Sequence, residues 1–145
     1  IDGFDGTVID STLRLSGNEV LVCGISKTRI LRKGEDGSWN YDSNSIDGLD
    51  HNVTCSTLRL SDNEVLVCSD GKTRILRRGE DGLWGHDGNN IVGFKGSIIH
   101  STLKLSDNEV LVCGSGFEGE ARILRRGEDG LWNYDSEELM ALMIM

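Results

Sequence analysis

The sequence predicts an all-β fold built from three copies of one four-stranded unit. Two observations carry this reading. The chain repeats itself at a step of 45 residues: Ser11-Thr12-Leu13-Arg14-Leu15-Ser16 returns as residues 56–61, and again as residues 101–106 with Lys104 for arginine. Residues 11–39 match residues 56–84 at 23 of 29 positions. Within each copy, short apolar and β-branched runs are separated by turn-forming residues at spacings that suit strands. Proline is absent and glycine occurs 19 times, so the turns rest on Gly, Asp and Asn.

The second copy shows the elements in order. Val53 to Leu60 is the first strand-like piece, with Val53, Leu58 and Leu60 apolar. Ser61-Asp62-Asn63 turns the chain. Glu64 to Cys68 is the second piece, and its Val65-Leu66-Val67-Cys68 core is apolar throughout. An unbroken run of this kind marks a strand buried on both faces. Ser69-Asp70-Gly71 turns again, Thr73 to Arg77 is the third piece, and Arg78-Gly79-Glu80-Asp81-Gly82 is a hairpin loop. In that loop glycine supplies the positive φ such turns require. Trp84 opens the fourth piece. Trp39 stands 45 residues before it, and Trp132 stands 48 after it because the third copy is lengthened by three residues around Gly114 to Glu120. The units therefore divide as 1–45, 46–90 and 91–138, with 139–145 as an apolar tail.

Two architectures meet this pattern. Strands buried on both faces suit β-propeller blades, in which each four-stranded sheet packs on its neighbours. A β-trefoil also has three repeats of about this length and would be complete in one chain.

The second copy resembles a WD repeat. Ile46-Asp47-Gly48-Leu49 stands where that family has its Gly-His region. Leu60-Ser61-Asp62-Asn63-Glu64-Val65-Leu66-Val67 is similar to its first hairpin, and Ser69-Asp70-Gly71-Lys72-Thr73-Arg74-Ile75-Leu76 to its Asp-Gly turn and third strand. The family's histidine is replaced by Phe4, Leu49 and Phe94, and its Trp-Asp pair by Leu31-Arg32, Leu76-Arg77 and Leu124-Arg125. Apolar packing has to take the place of the His–Asp–Trp network. The resemblance implies propeller blades, a protein-binding role and no cofactor.

Closed propellers use about four to eight blades, so three leave two apolar faces open. A twofold dimer forming a six-bladed ring is the simplest closure. The tail bears on this: Ser136-Glu137-Glu138 has the form of a helix start, while Leu139-Met140-Ala141-Leu142 falls in register with Ile91-Val92-Gly93-Phe94. Leu139, Met140, Leu142, Met143 and Ile144 are thus candidates for self-association, or fold back on their own core.

Composition narrows the partners. The formal net charge is −9, which opposes nucleic acid or an anionic membrane, since phosphate binding needs a basic face. No apolar run approaches the ~20 residues of a membrane helix. Cys23, Cys68 and Cys113 occupy one repeated place after Val-Leu-Val and read as small core residues, with Cys55 apart from them. No Cys-x-x-Cys pair indicates zinc, so no metal is expected, and a reducing, cytoplasmic setting is the simpler reading. His51, His86 and His100 fall at different places in the repeat, and no serine or cysteine has a nucleophile's setting, so no enzyme is expected.

Trp39, Trp84 and Trp132 recur with Arg29, Arg74 and Arg122 nearby. A tryptophan face can stack on a sugar while arginine holds its hydroxyls, so these six are the candidate ligand-binding residues. As plain structure, each Trp would be an outer-strand core residue and each Arg a strand-end solvating group. The leading expectation is a non-catalytic scaffold for a protein or peptide, acting as a homodimer. A multivalent carbohydrate-binding lectin is the first alternative, and a designed or reconstructed repeat protein without a ligand is the second.

Overall fold

The structure is a computed structural model that describes residues 9–24, 27–42, 46, 56–69, 72–86, 90–94, 98–115 and 120–135. It is all-β, with three four-stranded antiparallel sheets. The first sheet runs β1 (Ile9–Ser16), β2 (Glu19–Gly24), β3 (Lys27–Lys33) and β4 (Trp39–Tyr41). The second runs β5 (Ser56–Ser61), β6 (Glu64–Ser69), β7 (Lys72–Arg78) and β8 (Trp84–His86). The third runs β9 (Ile98–Ser106), β10 (Glu109–Ser115), β11 (Glu120–Arg126) and β12 (Trp132–Tyr134). In each, spatial order follows chain order, so every connection within a sheet is a hairpin. The four strand pieces expected of the second copy correspond to β5–β8, with Val53 and the rest of 53–55 in the first piece outside the described residues. The tail candidates Leu139, Met140, Leu142, Met143 and Ile144 lie outside the described residues.

The hairpin loops explain the strict repetition. Gly37, Gly82 and Gly130 have φ of 83°, 80° and 80°, in the left-handed region where a side chain costs roughly 1 kcal/mol or more. The aspartate before each glycine closes the turn: Asp36, Asp81 and Asp129 accept the backbone N–H of Ser38, Leu83 and Leu131 at 3.0 Å. These aspartates are therefore turn builders, and the glutamates beside them face solvent.

Because side chains alternate along a strand, each sheet has a backward face toward the preceding unit and a forward face toward the next. The forward face of the first sheet carries Leu15, Leu21, Cys23 and Ile30, and it packs on Val65, Val67, Leu76 and Trp84 from the backward face of the second. The forward face of the second carries Leu60, Leu66, Cys68 and Ile75, and it packs on Val110, Val112, Leu124 and Trp132 of the third. One junction is thus used twice. The central strand β6 contributes to both, and Val65, Leu66, Val67 and Cys68 are all buried, as the unbroken run implies. Each fully buried leucine contributes about 2 kcal/mol of apolar transfer, so these junctions hold the units together.

Neighbouring sheets approach closest at their first strands, β1 beside β5 and β5 beside β9. No hydrogen-bonded ladder joins one unit to the next among the described residues.

Candidate functional site: the junction between sheets

At one end of each junction sits a charged clamp. The Glu19 carboxylate, at the start of β2, accepts from the Ser16 hydroxyl (3.0 Å) and from Arg32 of its own sheet (2.5 Å). It also accepts from Arg78 of the second sheet at 2.5 Å. The same set recurs one unit on: Glu64 takes Ser61 (3.1 Å), Arg77 (3.0 Å) and Arg126 of the third sheet. The bridging arginines are held in place by register. Arg78 lies opposite Trp84 and Arg126 opposite Trp132 across the β-ladder, and each guanidinium sits over the indole, 5.2 and 5.0 Å from its centre.

This geometry fixes the charge state of the clamp. Burial pushes the Glu19 carboxyl up, but the Ser16 hydroxyl, the Arg78 hydrogen bond and the charges of Arg32 and Arg78 outweigh it and hold it below its ordinary value. A cavity of about 390 Å³ opens beside the clamp, lined by Ser16, Asn18, Glu19, Arg32, Lys33 and Arg78 among others.

Backbone carbonyls bind the first strands together. Arg59 on β5 donates through Nη2 to the carbonyls of Arg14 and Leu15 at 2.6 Å each. Lys104 on β9 donates to the Leu60 carbonyl at 3.2 Å. Ser56 and Thr102 share a hydroxyl hydrogen bond of 3.1 Å. At the other end of the second junction, the Tyr134 hydroxyl meets that of fully buried Thr73 at 2.5 Å. Burial raises the Tyr134 phenol well above its ordinary range. Phe94 packs on Tyr134 with ring centres 6.1 Å apart, which adds an apolar contact beside that hydrogen bond.

All six ligand-binding candidates lie on backward faces. Trp84 and Trp132 are 7% and 3% exposed and belong to the junction cores, so their rings present no stacking surface while the sheets stay packed. Trp39 is half-buried, on the backward face of the first sheet, against which no other sheet packs among the described residues. Arg29 and Arg74 are half-buried near the opposite end of β3 and β7 from the Trp-facing positions, at Lys33 and Arg78. Arg122 is buried; it donates to the Gly93 carbonyl (2.6 Å), the Asp135 carbonyl and the Glu120 carboxylate (3.2 Å). It ties loop 90–94 and the end of β12 to its own sheet. The structure thus brings the tryptophans together with Arg78 and Arg126 rather than with Arg74 and Arg122.

The clamp residues were not singled out by sequence reasoning. Their signal was present: Asn-Glu-Val-Leu-Val opens the second strand of every copy, and a basic doublet (Arg32-Lys33, Arg77-Arg78, Arg125-Arg126) precedes every Gly-Glu-Asp-Gly loop. Among the described residues there is no group of three metal-ligating side chains and no helix long and apolar enough to cross a membrane.

These features define a class of architecture: four-stranded antiparallel sheets packed face to face through one repeated junction. No family model, curated protein or solved structure matches the chain.

Proposed function

We propose that the chain is a non-catalytic binding scaffold of β-propeller type, whose WD-like blades close into a six-bladed ring by pairing with a second copy. One observation carries this reading: the three sheets are separate and approach closest at their first strands. Sheets that converge at one edge radiate from an axis, as blades do around a channel. A trefoil barrel would need ladders running from unit to unit to close. Of the multiples of three, only six falls within the about four to eight blades of closed propellers.

The partner is a protein or peptide with a basic face. The turns β1–β2 and β3–β4 and their equivalents gather at one end of every sheet. They display Glu35, Asp62, Glu80, Asp107 and Glu128, all exposed. Repeated acidic turns in a chain of net charge −9 attract cations and repel anions. Fluorescence anisotropy with a labelled lysine-rich peptide tests this. Binding should weaken with salt and weaken further in the triple variant Glu35→Gln, Glu80→Gln, Glu128→Gln. Equal binding of an acidic peptide, or indifference to the triple variant, would sink the reading.

A further inference from the structure

We propose that the forward face of the third sheet docks on the backward face of the first sheet of a second copy, repeating the internal junction, with Lys33 of one copy bonded to Glu109 of the other. The inference rests on the ring reading above and specifies its contact.

Most repeated positions report whether a neighbour covers them; Val22 on the backward face of the first sheet and Ile123 on the forward face of the third are 3% and 7% exposed all the same. On forward faces, Leu15 and Leu60 are 4% and 2% exposed, whereas their counterpart Leu105 is 49% exposed. Leu103, the counterpart of half-buried Leu13 and Leu58, is 59% exposed. Cys23 and Cys68 are fully buried and Cys113 is not. On backward faces, Val65, Val110, Leu76 and Leu124 are fully buried, while their counterparts Val20 and Leu31 are only partly so. The side chains that the internal junctions bury are thus present at both ends of the chain, on surfaces of opposite kind. A forward face meets a backward face at both internal junctions, so the occupant that fits both open faces is another copy of this chain, placed head to tail.

The polar groups complete the match. Glu109 takes Ser106 (2.9 Å) and Arg125 (2.5 Å), as Glu19 and Glu64 take their own-sheet partners. Among the described residues no sheet follows the third, so Glu109 lacks the counterpart of the donor that Arg78 supplies to Glu19 and Arg126 to Glu64. Accordingly the Glu109 side chain is 34% exposed, against 9% and 12% for Glu19 and Glu64. At the other end, Lys33 occupies the place of Arg78 and Arg126, opposite Trp39 in the ladder, and is exposed. Arg14, counterpart of Arg59 and Lys104, is exposed and stands where it would donate to the carbonyls near Leu105 of the neighbouring copy. A lysine there supplies charge without the planar fork of arginine, so the intermolecular clamp is looser than the two internal ones.

Charge reversal tests the contact. In sedimentation velocity across a concentration series, the wild-type chain should run at twice its 15.9 kDa mass. Lys33→Glu and Glu109→Lys should each weaken association about tenfold or more, since like charges then face each other. Mixing the two variants in equal amounts should restore it, because a mixed pair carries opposite charges at both contacts. The chain bearing both changes should pair with itself as well. Leu103→Asp, at an exposed position that leaves the fold intact by circular dichroism, should also dissociate the pair. A dimer indifferent to both reversals and to Leu103→Asp would overturn this contact while leaving self-association standing. A strict monomer would overturn both. A mass that keeps growing with concentration would uphold the contact and overturn ring closure, because a head-to-tail contact that does not close makes an open chain.

Discussion

Glu19 answers to three donors from two sheets, and its ionisation is part of what holds those sheets together. Its carboxyl is held below the ordinary value of 4.5, so the charged form is favoured in the folded state. The resulting stabilisation is complete above 4.5 and is lost as the pH falls through the lowered value. Glu19→Gln should therefore be less stable than wild type at neutral pH in urea melts, and the two curves should converge in acid; a gap that persisted at low pH would show that shape, not charge, carries the clamp. Tyr134 makes the opposite case. Burial raises its phenol far above the working range, so its hydroxyl stays neutral and bonds the Thr73 hydroxyl at all ordinary pH. Tyr134→Phe leaves fully buried Thr73 short of that partner, and should cost about 1–3 kcal/mol with no pH dependence. Denaturant midpoints at pH 5 and pH 8 check both parts. The recurrence of the clamp's members was legible in the sequence, but their pairing was not: Glu19 and Arg78 are 59 positions apart, and a repeat marks equivalent positions without saying which of them meet.

At the scale of strands, period-two patterning and turn chemistry made the elements readable. Val65-Leu66-Val67-Cys68 is apolar at every position because β6 is covered on both sides, and the structure buries all four. The loop Gly79-Glu80-Asp81-Gly82 announced the β7–β8 hairpin through a glycine that the turn places at φ 80°. The sequence did not disclose which basic residue faces each tryptophan. That choice is made by hairpin register, which sets Arg78 opposite Trp84, and register depends on the loop as a whole. Nor could three equivalent cysteines be told apart, since their burial is decided by a neighbouring sheet. Cys23 and Cys68 lie inside junctions, while Cys113 lies on the open forward face. Thiol labelling of the dilute native chain, read by peptide mass mapping, should modify Cys113 before its counterparts Cys23 and Cys68, which should stay unmodified until unfolding. Raising the protein concentration should slow the Cys113 reaction as a second copy covers it. Equal rates at all three sites would mean that the sheets part readily.

Among the described residues the sheets form a short array whose apolar junctions join sequence neighbours, so stability is approximately the sum of unit and junction terms. The count of units was legible from the repeat, because identical side chains recur at fixed spacing. What the repeat could not express is position in the array: among the described residues the second unit has a sheet on each side, and the first and third have one each. Near-identical sequences must therefore differ in local stability. The amides of β6 (Glu64–Ser69) can open only when two junctions are lost. Those of β2 (Glu19–Gly24) and β10 (Glu109–Ser115) open when one is lost. In native-state hydrogen exchange, where protection reports the free energy of the opening that exposes an amide, β6 should exchange most slowly at low protein concentration. Its equivalents should exchange faster despite sharing the same Glu-Val-Leu-Val-Cys sequence. Increasing concentration should slow β2 and β10 and leave β6 little changed, because association supplies the missing neighbour at both ends at once. Uniform protection at low concentration would instead mean that the three sheets unfold as one unit, and nearest-neighbour junctions would then not be what distributes stability along the chain.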